Sequence, residues 1–287
     1  MTRHFAHKIT MAGLLTLLLA GCAFQLIYPR LPFLIGWQID SYLDLNGEQE
    51  DWLDARLKAH LSSHRLTQLP RYIDYTQQLS DALAAVSLNE ATLLQLEQAS
   101  RLLYLDLMLQ FSDDAVQLLS GLSDSQVERV LQRQAKERRK ADKKYAESDD
   151  VERAEKRFDD AIDNMDDLLG RLDNEQKILI KSFVDQRPDL YQLGKATRDR
   201  WQQRIGEMLQ NRQQQSWLRE QLLLMLQTPE SLRDDVYAEA YQRNEQLRRQ
   251  MYVALFPTLT TKQRQHLQEE ITAWREDFAA LAEKTAE

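Results

Sequence analysis

Four short stretches constrain this chain more than anything else in it: LNGEQ at 45–49, LSDSQ at 122–126, LDNEQ at 172–176 and LTTKQ at 259–263. Each sets a leucine before a capping residue (Asn46, Ser123, Asp173 or Thr260) and a glutamine three residues after that cap. The cap's side-chain oxygen accepts from the N3 amide while the glutamine reaches back to the cap's own amide, which makes a capping box. A helix therefore begins at each. The leucine completes a hydrophobic staple only where N4 is apolar; Val127 qualifies, whereas Glu50, Lys177 and Arg264 do not.

Between these starts the apolar residues recur at helical spacing. Trp52, Leu53, Leu57 and Leu61 share one face, and Pro70 opens a further turn through Tyr72, Ile73, Leu79 and Leu83. Leu93, Leu96, Leu103, Leu107 and Phe111 follow, then Trp201, Ile205, Met208 and Leu209, then Trp217, Leu218, Leu222 and Met225. Glycine and proline number only 8 and 6, and β-branched runs are absent. Pro188, Pro229 and Pro257 stand where helices start or stop. The expected fold is all-α: a multi-helix antiparallel bundle.

Residues 128–168 differ from the rest. RQAKERRKADKKY is basic, ESDDVERAEKRFDDAIDNMDD is mostly acidic, and large apolar residues are thin. A turn near Ser148 lays the two limbs together as a projecting charged helical hairpin, with Lys136 near Asp160 and Arg133 near Asp163. Arg133, Lys136, Arg139, Asp160 and Asp163 are its candidate partner-binding residues. The alternative is a solvated pair of helices, since each exposed ion pair contributes only about 0–1 kcal/mol.

At the other end, Arg3, His4, His7 and Lys8 precede an apolar stretch from Ile9 to Leu19, too short to span a membrane. A basic head, an apolar middle and small residues at the end read as an export signal. Leu19-Ala20-Gly21-Cys22 resembles the lipobox of bacterial lipoproteins, and Cys22 is the only cysteine in the chain. The resemblance implies peptidase recognition at Leu19, Ala20 and Gly21, removal of residues 1–21, and covalent lipid on Cys22. Ala23 follows, where an aspartate would signal inner-membrane retention, so the resemblance implies an outer-membrane address facing the periplasm. Residues 22–45 then form a lipid anchor and aromatic lead-in, and 46–287 the helical domain. Pro29 and Pro32 keep the start of the lead-in extended, and a helix follows over Phe33–Leu43. Phe24, Tyr28, Phe33, Trp37 and Tyr42 suit either a membrane interface or the protein core. Asp40 and Asp44 favour the core, because carboxylates sit poorly in lipid.

Loss of Arg3 and Lys8 takes the chain's formal charge from −8 to −10. That balance argues against nucleic acid and against electrostatic adhesion to anionic lipid. No nucleophile elbow, phosphate loop or Ser-x-x-Lys pair is present. His60 and His64 stand four apart, but Leu61 occupies the place of a zincin glutamate. No histidine has glutamate three residues before it, since Leu57, Leu61 and Gln263 stand there. Surface histidines, no metal, no cofactor and no enzyme are the expectations.

The run YPRLPFLIGWQIDSYLDLNGEQEDWLDARL, with LPRY at 69–72, resembles the opening of an uncharacterised bacterial lipoprotein family, DUF 6279. Its DSYLDL segment supplies Asp40, Tyr42, Asp44 and Leu45. The resemblance implies the envelope address and the helical fold, and carries no activity. Leu259-Thr260-Thr261-Lys262-Gln263 is also similar to the Leu-Thr-x-x-Gln motif of small periplasmic stress chaperones. The expected role is a lipid-anchored protein that binds or scaffolds another envelope protein; the alternative is a chaperone-like module for envelope clients.

Overall fold

The computed structural model describes residues 21–85 and 87–284, and every regular element among them is helical. In chain order these are α1 (Gly21–Ile27), a 3-10 turn (Tyr28–Arg30), α2 (Leu31–Leu43), α3 (Gly47–Thr67), α4 (Leu69–Ala84) and α5 (Glu90–Gln110). Then come α6 (Ser112–Ser120), α7 (Asp124–Glu147), α8 (Asp150–Leu169), α9 (Asn174–Gln186) and α10 (Leu190–Leu193). The last are α11 (Lys195–Gln210), α12 (Gln215–Gln227), α13 (Asp235–Leu255) and α14 (Thr261–Glu283), with 3-10 turns at Pro229–Leu232 and Phe256–Thr258.

All four expected capping boxes form, at the starts of α3, α7, α9 and α14. The lead-in is helical rather than extended. Pro29 and Pro32 occupy the first turns of the 3-10 segment and of α2, where a missing N–H costs nothing.

The four glutamines do more than cap. Gln126 Nε2 donates to Gln49 Oε1 at 2.8 Å, and Gln176 and Gln263 exchange reciprocal amide bonds of 2.9 Å. Each glutamine also donates to the carbonyl just before the partner motif's leucine. Gln49 reaches Gly121 (2.9 Å), Gln126 reaches Asp44 (2.8 Å), Gln176 reaches Thr258 and Gln263 reaches Arg171 (3.2 Å each). The helix starts are therefore locked in two pairs, each with an approximate twofold relation.

Each lock closes a four-helix unit made of two helical hairpins. In unit 1 the hairpin α2–α3 meets α6–α7; in unit 2 the hairpin α8–α9 meets α13–α14. The packing is the same in both: the first helix lies on the second and fourth, and the second on the third. The motif leucines are buried in the matching cores. Leu45 and Leu122 join Leu53, Leu57 and Val127 in unit 1, while Leu172 and Leu259 join Ile180, Val184, Leu267 and Ile271 in unit 2. The chain is thus a structural tandem of one four-helix design. α4 lies along α14 and against α3, joining the units, while α5, α11 and α12 cover their flanks.

Candidate functional site

Leu19 and Ala20 lie outside the described residues. Gly21 and Cys22 open α1. Two residues after Cys22 the chain is already held by the body. Phe24 packs edge-on against Tyr28 and Phe278, both at 5.7 Å between centroids, and Gln25 Nε2 donates to Asp277 Oδ1 at 2.9 Å. Tyr28 is wholly buried in a cluster with Leu69 and Leu281. Its hydroxyl lies 2.8 Å from His64 Nδ1, and the Arg65 guanidinium stands 5.4 Å from its ring centroid. Burial lowers the His64 pKa to about 4, so the ring that meets the tyrosine hydroxyl is neutral.

His60 and His64 are therefore not bland surface groups. His64 locks the N-terminal segment, and His60 Nε2 meets Asp114 Oδ2 at 2.5 Å beside Arg56. Burial pushes the Asp114 carboxyl up, but hydrogen bonds with Arg56 and His60 outweigh it and hold the group below its ordinary value. Both contacts place these rings inside the protein's own polar network. Among the described residues no group of three or more histidine, cysteine or acidic side chains is placed to hold a metal ion.

The five aromatics of the lead-in divide. Phe24 and Tyr28 join the core, as the sequence favours, but Phe33 (71% exposed), Trp37 (54%) and Tyr42 (52%) do not. The aspartates that argued for burial are engaged elsewhere. Asp40 Oδ1 accepts from the Leu45 N–H at 2.8 Å, and Asp44 pairs with Arg129 at 2.7 Å. α2 has two apolar stripes: Ile39 and Leu43 enter the unit 1 core, while Phe33, Leu34 and Trp37 form an outward face one turn long. Leu26 of α1 is also exposed. The signal was in the sequence, since positions 33, 34 and 37 fall on the opposite side of a helical wheel from 39 and 43.

The charged segment turns at Ser148 and Asp149 as expected, but its limbs do not pair in the expected register. α7 packs on α2 and α11, and α8 on α9 and α14. The reason lies in their few apolar residues. Val130 and Leu131 enter the unit 1 core, whereas Phe158, Ile162 and Leu168 enter that of unit 2. Burying one such side chain stabilises by roughly 1.5–3 kcal/mol, more than an exposed ion pair supplies. The charges pair where the packing leaves them: Arg138 with Asp142 and Asp199, Lys156 with Asp160. Lys136, Arg139 and Asp163 are exposed, while Arg133 has a buried guanidinium nitrogen.

The tip of this arm is clamped rather than free. Tyr145 and Tyr191 stack at 4.6 Å, with the Arg153 guanidinium 4.3 Å from the first ring and Arg198 4.0 Å from the second. The hydroxyls cross over, Tyr145 donating to Asp189 and Tyr191 to Asp142, each at 2.7 Å. The Tyr191 bond, with Arg138 beside it, holds the Asp142 carboxyl below its ordinary range.

A shallow groove of about 480 Å³ is lined by Glu90, Glu239, Gln242, Arg243, Gln246 and Arg249. Its carboxylates and guanidinium groups are offered without a nucleophile or histidine. A family model, described as a family of unknown function (DUF6279), matches residues 41–238. The chain belongs to DUF6279. The match takes in three of the four helix starts, and the exposed face of α2 and the fourth start lie outside it. No curated protein and no solved structure matches the chain.

Proposed function

We propose that this DUF6279 protein is a lipid-anchored component of the bacterial cell envelope, attached through Cys22, facing the periplasm from the outer membrane, and binding or scaffolding another envelope protein. The observation that carries the reading is the direct junction between Cys22 and the body. Phe24, Gln25 and Tyr28 are all docked, so a lipid on Cys22 holds the whole helical domain at the membrane. Once residues 1–21 are removed, the lipidated chain has no free thiol to mispair in an oxidising compartment. The exposed charges of Lys136, Arg139 and Asp163 are the surface offered to a partner.

Cys22→Ala tests the tether. The variant should leave the membrane fraction while its circular dichroism stays helical; continued tight membrane association would remove the reading. Photocrosslinkers at Lys136, Arg139 and Asp163 test the partner. A single envelope protein captured from the anchored form and not from Cys22→Ala supports scaffolding. A second reading, chaperone-like action on envelope clients, is favoured by the exposed apolar residues of α2. Suppression of client aggregation at near-stoichiometric amounts would support it, and no effect on several clients would end it.

A further inference from the structure

The tandem design supplies an internal reference for the outward face of α2. The helices α2 and α8 hold the same place in their units and end alike. Asp40 Oδ1 accepts from the Leu45 N–H at 2.8 Å, and Asp166 Oδ1 accepts from the Leu172 N–H at 2.9 Å. Four residues after each aspartate comes a left-handed residue, Asp44 (φ 55°) or Gly170 (φ 73°), whose N–H bonds back to that aspartate's carbonyl at 2.8 Å. Carrying Asp40 onto Asp166 brings Ile39 and Leu43 onto Met165 and Leu169, all core-facing. The same shift brings Phe33, Leu34 and Trp37 onto Asp159, Asp160 and Asp163, all exposed in both helices.

One fold position thus carries three carboxylates in unit 2 and two aromatics with a leucine in unit 1. Water selects the first set. The second set, left in water, exposes a contiguous apolar face that a folded domain normally covers.

We infer that the Phe33–Leu34–Trp37 face of α2 seats the protein on the bilayer surface, fixing the orientation of the lipid-anchored body. This rests on Cys22 carrying lipid. Phe33 lies eleven residues after Cys22, and at helical rise, with the 3-10 turn included, that separates them by roughly 18 Å at most. With no slack between Cys22 and the docked Phe24, acyl chains entering the membrane at residue 22 hold α2 close to it. Trp is enriched at membrane interfaces, and the exposed Arg30 and Ser41 beside the stripe suit headgroups. A second copy or a folded partner is a poorer match. Stable protein interfaces use about 20–30 residues a side, far more than this one helical turn presents. Several acyl chains already make attachment stable, so the face contributes orientation rather than affinity.

The test is depth-dependent quenching on the full-length lipidated protein, reconstituted in vesicles of phosphatidylethanolamine and phosphatidylglycerol containing bromine-labelled phosphatidylcholine. The mass of the N-terminal peptide first establishes whether Cys22 is acylated; a chain without the adduct removes the anchor and this inference together. On acylated protein, bromolipid should quench a component of the tryptophan emission that disappears in Trp37→Phe. F33D/L34D should weaken that component while adduct mass and circular dichroism stay unchanged. Acylated protein whose Trp37 is untouched by bromolipid and open to aqueous acrylamide would overturn the inference and leave the anchor standing. So would shielding of Trp37 that appears only with a second copy at high surface density, or only with an added client protein.

Discussion

The two four-helix units are built by one rule and finished differently. In unit 2 both glutamines are buried, and each amide oxygen and nitrogen makes at least two hydrogen bonds within the lock. In unit 1 Gln126 is buried but Gln49 is only half-buried, and the amide–amide bond runs one way. Unit 2 also turns carboxylates outward from its first helix, where unit 1 turns aromatics. The difference teaches that the lock specifies the fold, while the outer face of the first helix is free to take on another task.

The largest expected effect comes from breaking the closed lock. Gln176→Ala leaves the Asp173 N–H, the Thr258 carbonyl and the Gln263 amide without their partner in a buried site. With about 1–3 kcal/mol for each buried group left unpaired, the loss should be roughly 3 kcal/mol or more in urea unfolding. Gln49→Ala opens a site that water reaches and should cost roughly 1 kcal/mol. Equal losses would mean that the two locks are energetically alike and that burial does not separate them. A double-mutant cycle on Gln176 and Gln263 should show strong coupling, since each is the other's partner.

Next in size is a pH effect at the N-terminal junction, which adjoins unit 1 and has no counterpart at the start of unit 2. The folded His64 pKa is about 4, below its ordinary 6.5. The fold therefore favours the neutral ring, and its contribution is complete above about pH 6.5. It is lost as pH falls from there towards 4, because protonation places a charge in a site that burial shields from water. Allowing for the partial exposure of the ring, the loss should be on the order of 2 kcal/mol. His64→Gln should flatten this pH dependence of the unfolding midpoint; an unchanged profile would show that other groups set it.

What could be read from the sequence follows from the range of the interactions. Capping is local chemistry, complete within four residues, so all four helix starts were legible. The locks were not, because Gln49 and Gln126 lie 77 residues apart and Gln176 and Gln263 lie 87 apart. The tandem was further hidden by Arg171, an additional residue between Gly170 and Leu172 that has no equivalent between Asp44 and Leu45. Charge does not set the register of the arm. Complementary limbs suggested Lys136 against Asp160, but Val130, Leu131, Phe158 and Ile162 decide where each limb goes, and they point to different cores. The exposure of Phe33 and Trp37 is hidden for a related reason: in the sequence the nearby Asp40 and Asp44 read as free charges, whereas both are already bonded.

A smaller effect should come from the clamp at the arm's tip. Tyr145→Phe keeps the stack with Tyr191 and removes the bond to Asp189, costing about 1 kcal/mol. Hydrogen exchange should quicken near residues 145–153 if the clamp holds the tip; uniform exchange across the variant would show that α7 and α8 are held by their cores alone.

The smallest effect is the most telling for the comparison between units. F33D/L34D/W37D puts into α2 the residues that α8 already carries at the matching positions. None of the three side chains is buried, and aspartate and phenylalanine have similar helix propensity, so unfolding stability should change by no more than about 0.5 kcal/mol. A large loss would show that these side chains stabilise unit 1 itself, and the equivalence of α2 and α8 would fail. Unchanged stability means that folding does not require the aromatics. Their exposure is then a cost in solubility with no return to the fold, and the reason for keeping them must lie outside the chain, at whatever surface the Cys22 end of the molecule meets.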